Sequence, residues 1–299
     1  MIAINDVSVV DTVDDFDYER EYVSPKCCMC IPVQLALRGW KDVPDWQKDN
    51  GFIRSGYRVN ATLTESFWSI FAIHNETGNI WSHLLGGMLF LVLGIHNFYE
   101  EHSDIGEKWT MCLFFVGACT CFFTSAVYHA CLGTTSKIVI FLVRCDFIGI
   151  ILFIGATFNA NTYYNFKCDS TYYVYTSAFV VTFTCVLITI FIPAFERSHF
   201  RPFRGMLFFS FGLQLVAPVA HRAILTGALS TQAHFYFICE TISFATGVYL
   251  YIKRIPERYK AGKFDIWFNS HQLLHSFVVL GAFLHYLALR EWQNLNITC

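Results

Sequence analysis

Seven stretches of this chain are each long and apolar enough to cross a bilayer, at approximately 77–98, 109–130, 138–160, 171–195, 204–225, 234–252 and 269–289. A spanning helix needs roughly 20 residues, and hydrocarbon offers no partner for a free backbone N–H or C=O, so segments of this kind cross as helices. The expected fold is therefore an all-α membrane protein, a seven-transmembrane helix bundle. Composition agrees: 55% of the 299 residues are hydrophobic and only 15% charged, against about 25% charged in a soluble domain. A formal net charge of −2 gives no basic surface for nucleic acid, and none is expected as a partner.

Basic residues cross membranes poorly and set the orientation. Loop 253–268 holds Lys253, Arg254, Arg258, Lys260 and Lys263; loop 196–204 holds Arg197, Arg201 and Arg204; Lys137 lies in the turn 131–137, and Arg54 and Arg58 precede the first span. The opposite loops carry few. The N-terminus is thus expected in the cytosol and the C-terminus outside or in a lumen, opposite to a G-protein-coupled receptor. The division that follows is a flexible cytosolic tail over 1–42, a cytosolic and interfacial segment over 43–76, the spanning domain over 77–289 and a short outer tail over 290–299. In the second of these, Thr62 and Glu65 read as a capping box. Leu63, Phe67, Ile70, Phe71 and His74 follow at helical spacing, which predicts a short helix lying in the membrane interface. The sequon at Asn296 lies on the outer side, while those at Asn60 and Asn75 fall in the cytosol and should be unused.

Of the twelve cysteines, Cys112, Cys119, Cys121, Cys145, Cys185 and Cys239 sit within apolar helices and are expected to pack as small hydrophobes. Cys27, Cys28 and Cys30 offer three thiols where a structural zinc site wants four ligands; S-palmitoylation and free thiols are the two readings of that cluster.

An ionisable residue inside a span needs a partner or a function. Placed by depth, Ser125 and His129 end the second span, His271 and His275 begin the seventh, and Asp146 lies about 12 Å into the third at ~1.5 Å per residue. All five converge on the cytosolic half of the bundle. Residues four apart share a helix face, so His271 and His275 can aim at one centre. Three imidazoles with an open fourth position is a catalytic zinc arrangement; Asp146 could hold or deprotonate a water there and Ser125 could hydrogen-bond it. The plainer alternative is histidines at headgroup level, bonded to water and backbone. His83 reaches a similar depth alone and is expected to make an interhelical hydrogen bond. His221 lies too far out to join the centre. Arg222 and Glu240 share an outer-leaflet depth and are expected to form an ion pair.

"HNETGNIWSHLLG" (74–86), "SAVYH" (125–129), "CDFIGI" (145–150) and "IPERYKAGKFDIWFNSHQLLH" (255–275) resemble the progestin and adipoQ receptor family, and its adiponectin receptors most closely. The likeness covers roughly 43–299. It implies seven helices with the N-terminus inside, and a zinc ion (Zn2+) on His129, His271 and His275 with Ser125 and Asp146 around a bound water. It also implies ceramide hydrolysis. The chain departs from the pattern at the apolar turn "ACLGTTSKIVIFLV", at Ile148 where serine is common, and at Arg222.

Two functions follow as expectations. One is a zinc-dependent amidohydrolase (ceramidase-like) that releases a free fatty acid and a sphingoid base, with Asp146 as base and Ser125 beside it. The other is a hormone or membrane-lipid receptor, or a Golgi scaffold, with a structural zinc. Expected partners are a membrane lipid (ceramide or free fatty acid), an extracellular protein hormone and a cytosolic adaptor at the N-terminal region. The plasma membrane is the expected location, with endoplasmic reticulum and Golgi as alternatives.

Overall fold

The computed structural model describes residues 36–101, 104–227 and 232–294. The Cys27/Cys28/Cys30 cluster and the Asn296 sequon lie outside them. A short helix α1 (Leu63–Ser69) precedes α2 (Thr77–Tyr99), α3 (Ile105–Cys131), α4 (Ser136–Phe166) and α5 (Thr171–Thr189). Then come α6 (Arg201–Leu213), α7 (Val216–Thr226), α8 (Gln232–Lys253) and α9 (Ser270–Asn294). With α6 and α7 taken together, seven helical segments are long and apolar enough to cross a membrane. This is a seven-helix, multi-pass membrane bundle.

The fifth span is broken where one continuous helix was expected. Pro218 has no N–H to give the Gln214 carbonyl, and the chain passes from α6 to α7 through Gln214 and Leu215. The Gln214 carbonyl instead accepts from Ala217 N–H at 3.3 Å, and Asn161 Nδ2 on α4 donates to the Leu215 carbonyl at 3.3 Å, while Thr182 Oγ1 on α5 donates to the Gln214 side chain at 2.9 Å.

Helices α2, α3 and α4 pack in sequence, α8 packs along α9, and α9 closes back on α2. Phe90, Phe114, Phe122, Ile151 and Leu289 are fully buried between them. Lipid is as apolar as these side chains, so association rests on close packing rather than on escape from water. Gly149 shows how close: a Cβ there would stand 2.5 Å from Thr124 Oγ1 and 3.0 Å from the Cys121 backbone. Gly149→Ala must part α3 from α4 and is expected to destabilise the bundle by about 1–3 kcal/mol, read as a lowered unfolding midpoint in detergent.

The α1 capping box is formed: Glu65 N–H donates to Thr62 Oγ1 at 3.2 Å and Thr62 N–H to Glu65 Oε2 at 2.7 Å. Leu63, Phe67, Trp68 and Phe71 are exposed, as an interfacial helix requires. His74 does not belong to that face. The helix stops at Ser69, and His74 turns inward, fully buried, with Nε2 at 3.1 Å from the Ser69 carbonyl and Nδ1 accepting from Glu76 N–H. Burial, with the Arg58 charge nearby, pushes His74 down to about 3 and keeps it neutral.

The loops at the histidine-bearing end carry most of the basic side chains, and residues 36–59 fold across that end. Trp40, Val43, Ile53, Tyr57 and Val59 form a small core of their own. Asp49 pairs with the buried Arg201 at 2.5 Å, and Asn50 Nδ2 donates to Glu257 Oε1 at 3.0 Å.

At the opposite end, Asp104 caps α3, accepting from Glu107 N–H at 2.7 Å, and ties it to α4 through Tyr163 Oη at 2.5 Å and Lys167 Nζ at 3.0 Å. Partial burial would raise the Asp104 carboxyl, but the Tyr163, Glu107 and Lys167 bonds outweigh it and hold it at about 2. A depressed folded value gives stability that is present above the ordinary 3.8 and lost as pH falls through about 2. Asp104→Asn is expected to remove that acid-range slope from a pH series of unfolding midpoints. Cys168, beside this clamp, is disulfide-bonded, which the sequence reading did not foresee; the six cysteines expected within apolar helices are free, and so is Cys131 at the end of α3.

Candidate metal centre

Helix α9 begins where Asn269 Oδ1 accepts the His271 and Gln272 N–H groups, both at 3.2 Å, serving as its N-cap. Glu257 accepts Ser270 N–H at 2.8 Å and also its hydroxyl, so the loop fixes the first turn. That turn carries His271, and the next carries His275. Helix α3 ends at the same level with His129. Its last turn is held by buried Arg58, which donates to the His129 carbonyl at 2.7 Å and the Ala130 carbonyl at 2.6 Å. Burial pushes the Arg58 guanidinium down to about 10, still charged at neutral pH and suited to a helix C-terminus.

The three imidazoles meet. Their ring centroids lie 4.8–4.9 Å apart, each pair near perpendicular, and one nitrogen from each lies within 4.8 Å of the others. The remaining nitrogens show which atoms face the centre. His129 Nδ1 is 2.8 Å from Glu76 Oε2, and His275 Nδ1 is 3.2 Å from the Asn79 carbonyl. A carbonyl can only accept, so His275 carries its proton on Nδ1 and turns the Nε2 lone pair inward. His129 Nε2 is buried with no hydrogen-bond partner among the described residues. A carboxylate or carbonyl behind a histidine is the arrangement that orients metal-ligating imidazoles. His271 is fixed through the Tyr251 ring, 5.1 Å away, which lies under the Arg201 guanidinium at 3.9 Å. The donor set fits a first-row transition ion.

Ser125 and Asp146, both buried, line the same cavity as the three histidines, with the Ser125 side chain reaching toward the Asp146 carboxylate. All five residues singled out in the sequence are thus brought together. The cavity has a volume of about 700 Å³ and runs from the histidines past Phe147, Phe153 and Phe208 to Phe237 and Glu240.

Other expectations fail. His83 makes no interhelical hydrogen bond to the described residues; both its nitrogens are buried and unpartnered among them, and its ring lies flat on His275 at 3.6 Å and 11°. Glu240 does not pair with Arg222: its partner is His285, while Arg222 lies near enough to Asp169 to help the Thr171 contacts lower that carboxyl. His221 faces Tyr175 Oη at 3.2 Å, away from the centre as expected. Sequence reasoning missed Glu76, although it stands within the quoted "HNETGNIWSH"; an acid entering the first span at the depth of His129 was the available signal.

A family model described as haemolysin-III related matches residues 71–286, well over half of the chain. The chain belongs to the haemolysin-III-related family. Within it, the chain is 31% identical over 274 residues to heptahelical transmembrane protein 1 of Arabidopsis thaliana, covering 86% of this chain and 82% of that protein. It is 34% identical over 272 residues to progestin and adipoQ receptor-like protein 1 of Caenorhabditis elegans, and 33% over 265 residues to the adiponectin receptor protein of Drosophila melanogaster. These two alignments cover 87% and 86% of this chain but 62% and 60% of the relatives, so the chain spans under two thirds of either animal protein. The resemblance to adiponectin receptors read from the motifs is thereby established.

The half-buried Glu76 carboxylate gives the candidate centre a direct test. Glu76→Gln keeps the shape but weakens the bond to His129 Nδ1. Metal affinity is expected to fall about 10- to 100-fold, measured by competition against a chelator.

Proposed function

We propose that His129, His271 and His275 hold zinc, and that the chain hydrolyses the amide bond of ceramide-type lipids inside the membrane. The observation that carries this reading is the single cavity joining three oriented imidazoles, a carboxylate and a hydroxyl to an apolar volume sized for an acyl chain. A zinc ion with three protein ligands supplies Lewis acidity, acidifying water and polarising a carbonyl. Asp146 takes the proton of the attacking water and returns it to the departing amine nitrogen. Ser125 holds the water against Asp146 through its hydroxyl. The new C–O bond forms first, the C–N bond breaks once the nitrogen has received that proton, and the products are a free fatty acid and a sphingoid base. Glu76, Asn79 and Tyr251 orient the ligands throughout.

The histidine-bearing end faces the cytosol in this reading. The basic loops support it, as does disulfide-bonded Cys168 at the opposite end, since disulfides persist on oxidising faces. A plasma-membrane location goes with the receptor reading. The receptor names of the animal relatives favour a second role as a hormone receptor; an extracellular protein ligand and a cytosolic adaptor at the N-terminal segment would complete that role.

Purified protein in lipid nanodiscs, given long-chain ceramide, is expected to release fatty acid, to stop on chelation and to resume on adding zinc. No release from ceramides of several acyl lengths would favour a sensor in which the metal only fastens α3 to α9.

A further inference from the structure

Ten residues beyond His275, roughly 15 Å farther along α9 at ~1.5 Å per residue, a second polar pair is sealed into the bundle. His285 is fully buried, and its Nδ1 lies 2.8 Å from Glu240 Oε2 on α8. His285 Nε2 has no partner among the described residues, and the His285 ring lies 5.5 Å from the Phe114 ring. Glu240 itself lines the cavity that begins at the three histidines, among Phe237, Thr241 and Phe244. Its Oε2 is engaged by His285, while its Oε1 makes no hydrogen bond to any described residue. Fastening α8 to α9 would use one carboxylate oxygen and leave the other without a role on a residue that lines the cavity. Two ligand groups are also too few for a metal site.

From this placement we infer that Glu240, backed by His285, is a polar subsite that selects a lipid chain bearing a hydroxyl group partway along its length. The inference rests on the lipid-filled cavity proposed above. A separation of ~15 Å is half of the ~30 Å hydrocarbon core, so a chain whose head lies at the histidines passes Glu240 with its middle or later carbons. A hydroxyl suits the site because it donates one hydrogen bond to a free carboxylate oxygen. A charged group would be costly to bring to this depth. A plain methylene chain would leave Oε1 unmatched.

The test compares oleic acid with ricinoleic acid, an oleic chain carrying one mid-chain hydroxyl. The full chain in nanodiscs is loaded with an equal mixture, and the fatty acids that co-purify are quantified by mass spectrometry against their ratio in the surrounding lipid. Ricinoleic acid is expected to be enriched about fivefold, the worth of one net buried hydrogen bond. A fatty acid hydroxylated next to its carboxyl group is expected to gain nothing. Replacing the pair together, Glu240→Met with His285→Phe, is expected to abolish the preference and keep oleic acid bound. Should that variant not fold, the wild-type ratio decides alone. Equal loading of the two acids would overturn this inference while leaving the lipid cavity standing. Loading of neither would overturn both.

Discussion

Asp146→Ala is expected to lower fatty-acid release from ceramide by about 10²- to 10⁴-fold, the usual worth of a positioned general base, while the metal content of the purified protein stays at the wild-type level. The separation of the two readouts is the point. Asp146 sits on α4, whereas the imidazoles come from α3 and α9, and the groups orienting them (Glu76, Asn79, Tyr251) do not include it. Loss of release together with metal would recast Asp146 as a ligand. Unchanged release would remove it from the chemistry.

His275→Ala is expected to remove the metal outright and release with it. Two imidazoles would remain, without the ring that packs between His83 and the other two. Stability should fall as well, because the alanine leaves a cavity against His83 and loses the Asn79 contact. Truncating a buried ring costs about 3–5 kcal/mol, and the lost tie between α2, α3 and α9 adds to it. A lowered unfolding midpoint that zinc no longer raises is the expected observation; in the wild type, added zinc should raise it. A variant that keeps stoichiometric metal would show that His129 and His271 complete the site with another group.

Much of this was legible beforehand, for identifiable reasons. Spanning helices announce themselves by length and hydropathy, and residues at matched depth on three of them had to approach one another once a bundle formed. That logic placed Ser125, His129, Asp146, His271 and His275 at one level, and the five line one cavity in the fold. It works along the membrane normal only, and the errors lie in the other directions. Arg222 and Glu240 share a depth, yet Glu240 faces His285 on α9, because which helices adjoin is settled by packing that depth does not report. His83 was placed at the right level, but stacking on His275 replaced the expected hydrogen bond. Glu76 escaped because it reads as a boundary residue, although its carboxylate turns back beneath His129. Arg201 was read for the orientation its charge implies, whereas in the fold it is buried and holds Asp49, Tyr251 and, through that ring, His271. The break in the fifth span had its signal in Pro218, whose missing N–H outweighs an otherwise continuous apolar run.

The measurement closest to the central claim is zinc-edge X-ray absorption on the purified full chain. One zinc per chain is expected, bound by three imidazole nitrogens at about 2.0–2.1 Å with one further oxygen. Thiolate sulfur at about 2.3 Å would place the metal on cysteines instead. A chain that purifies without zinc and takes none up would contradict the metal centre at His129, His271 and His275.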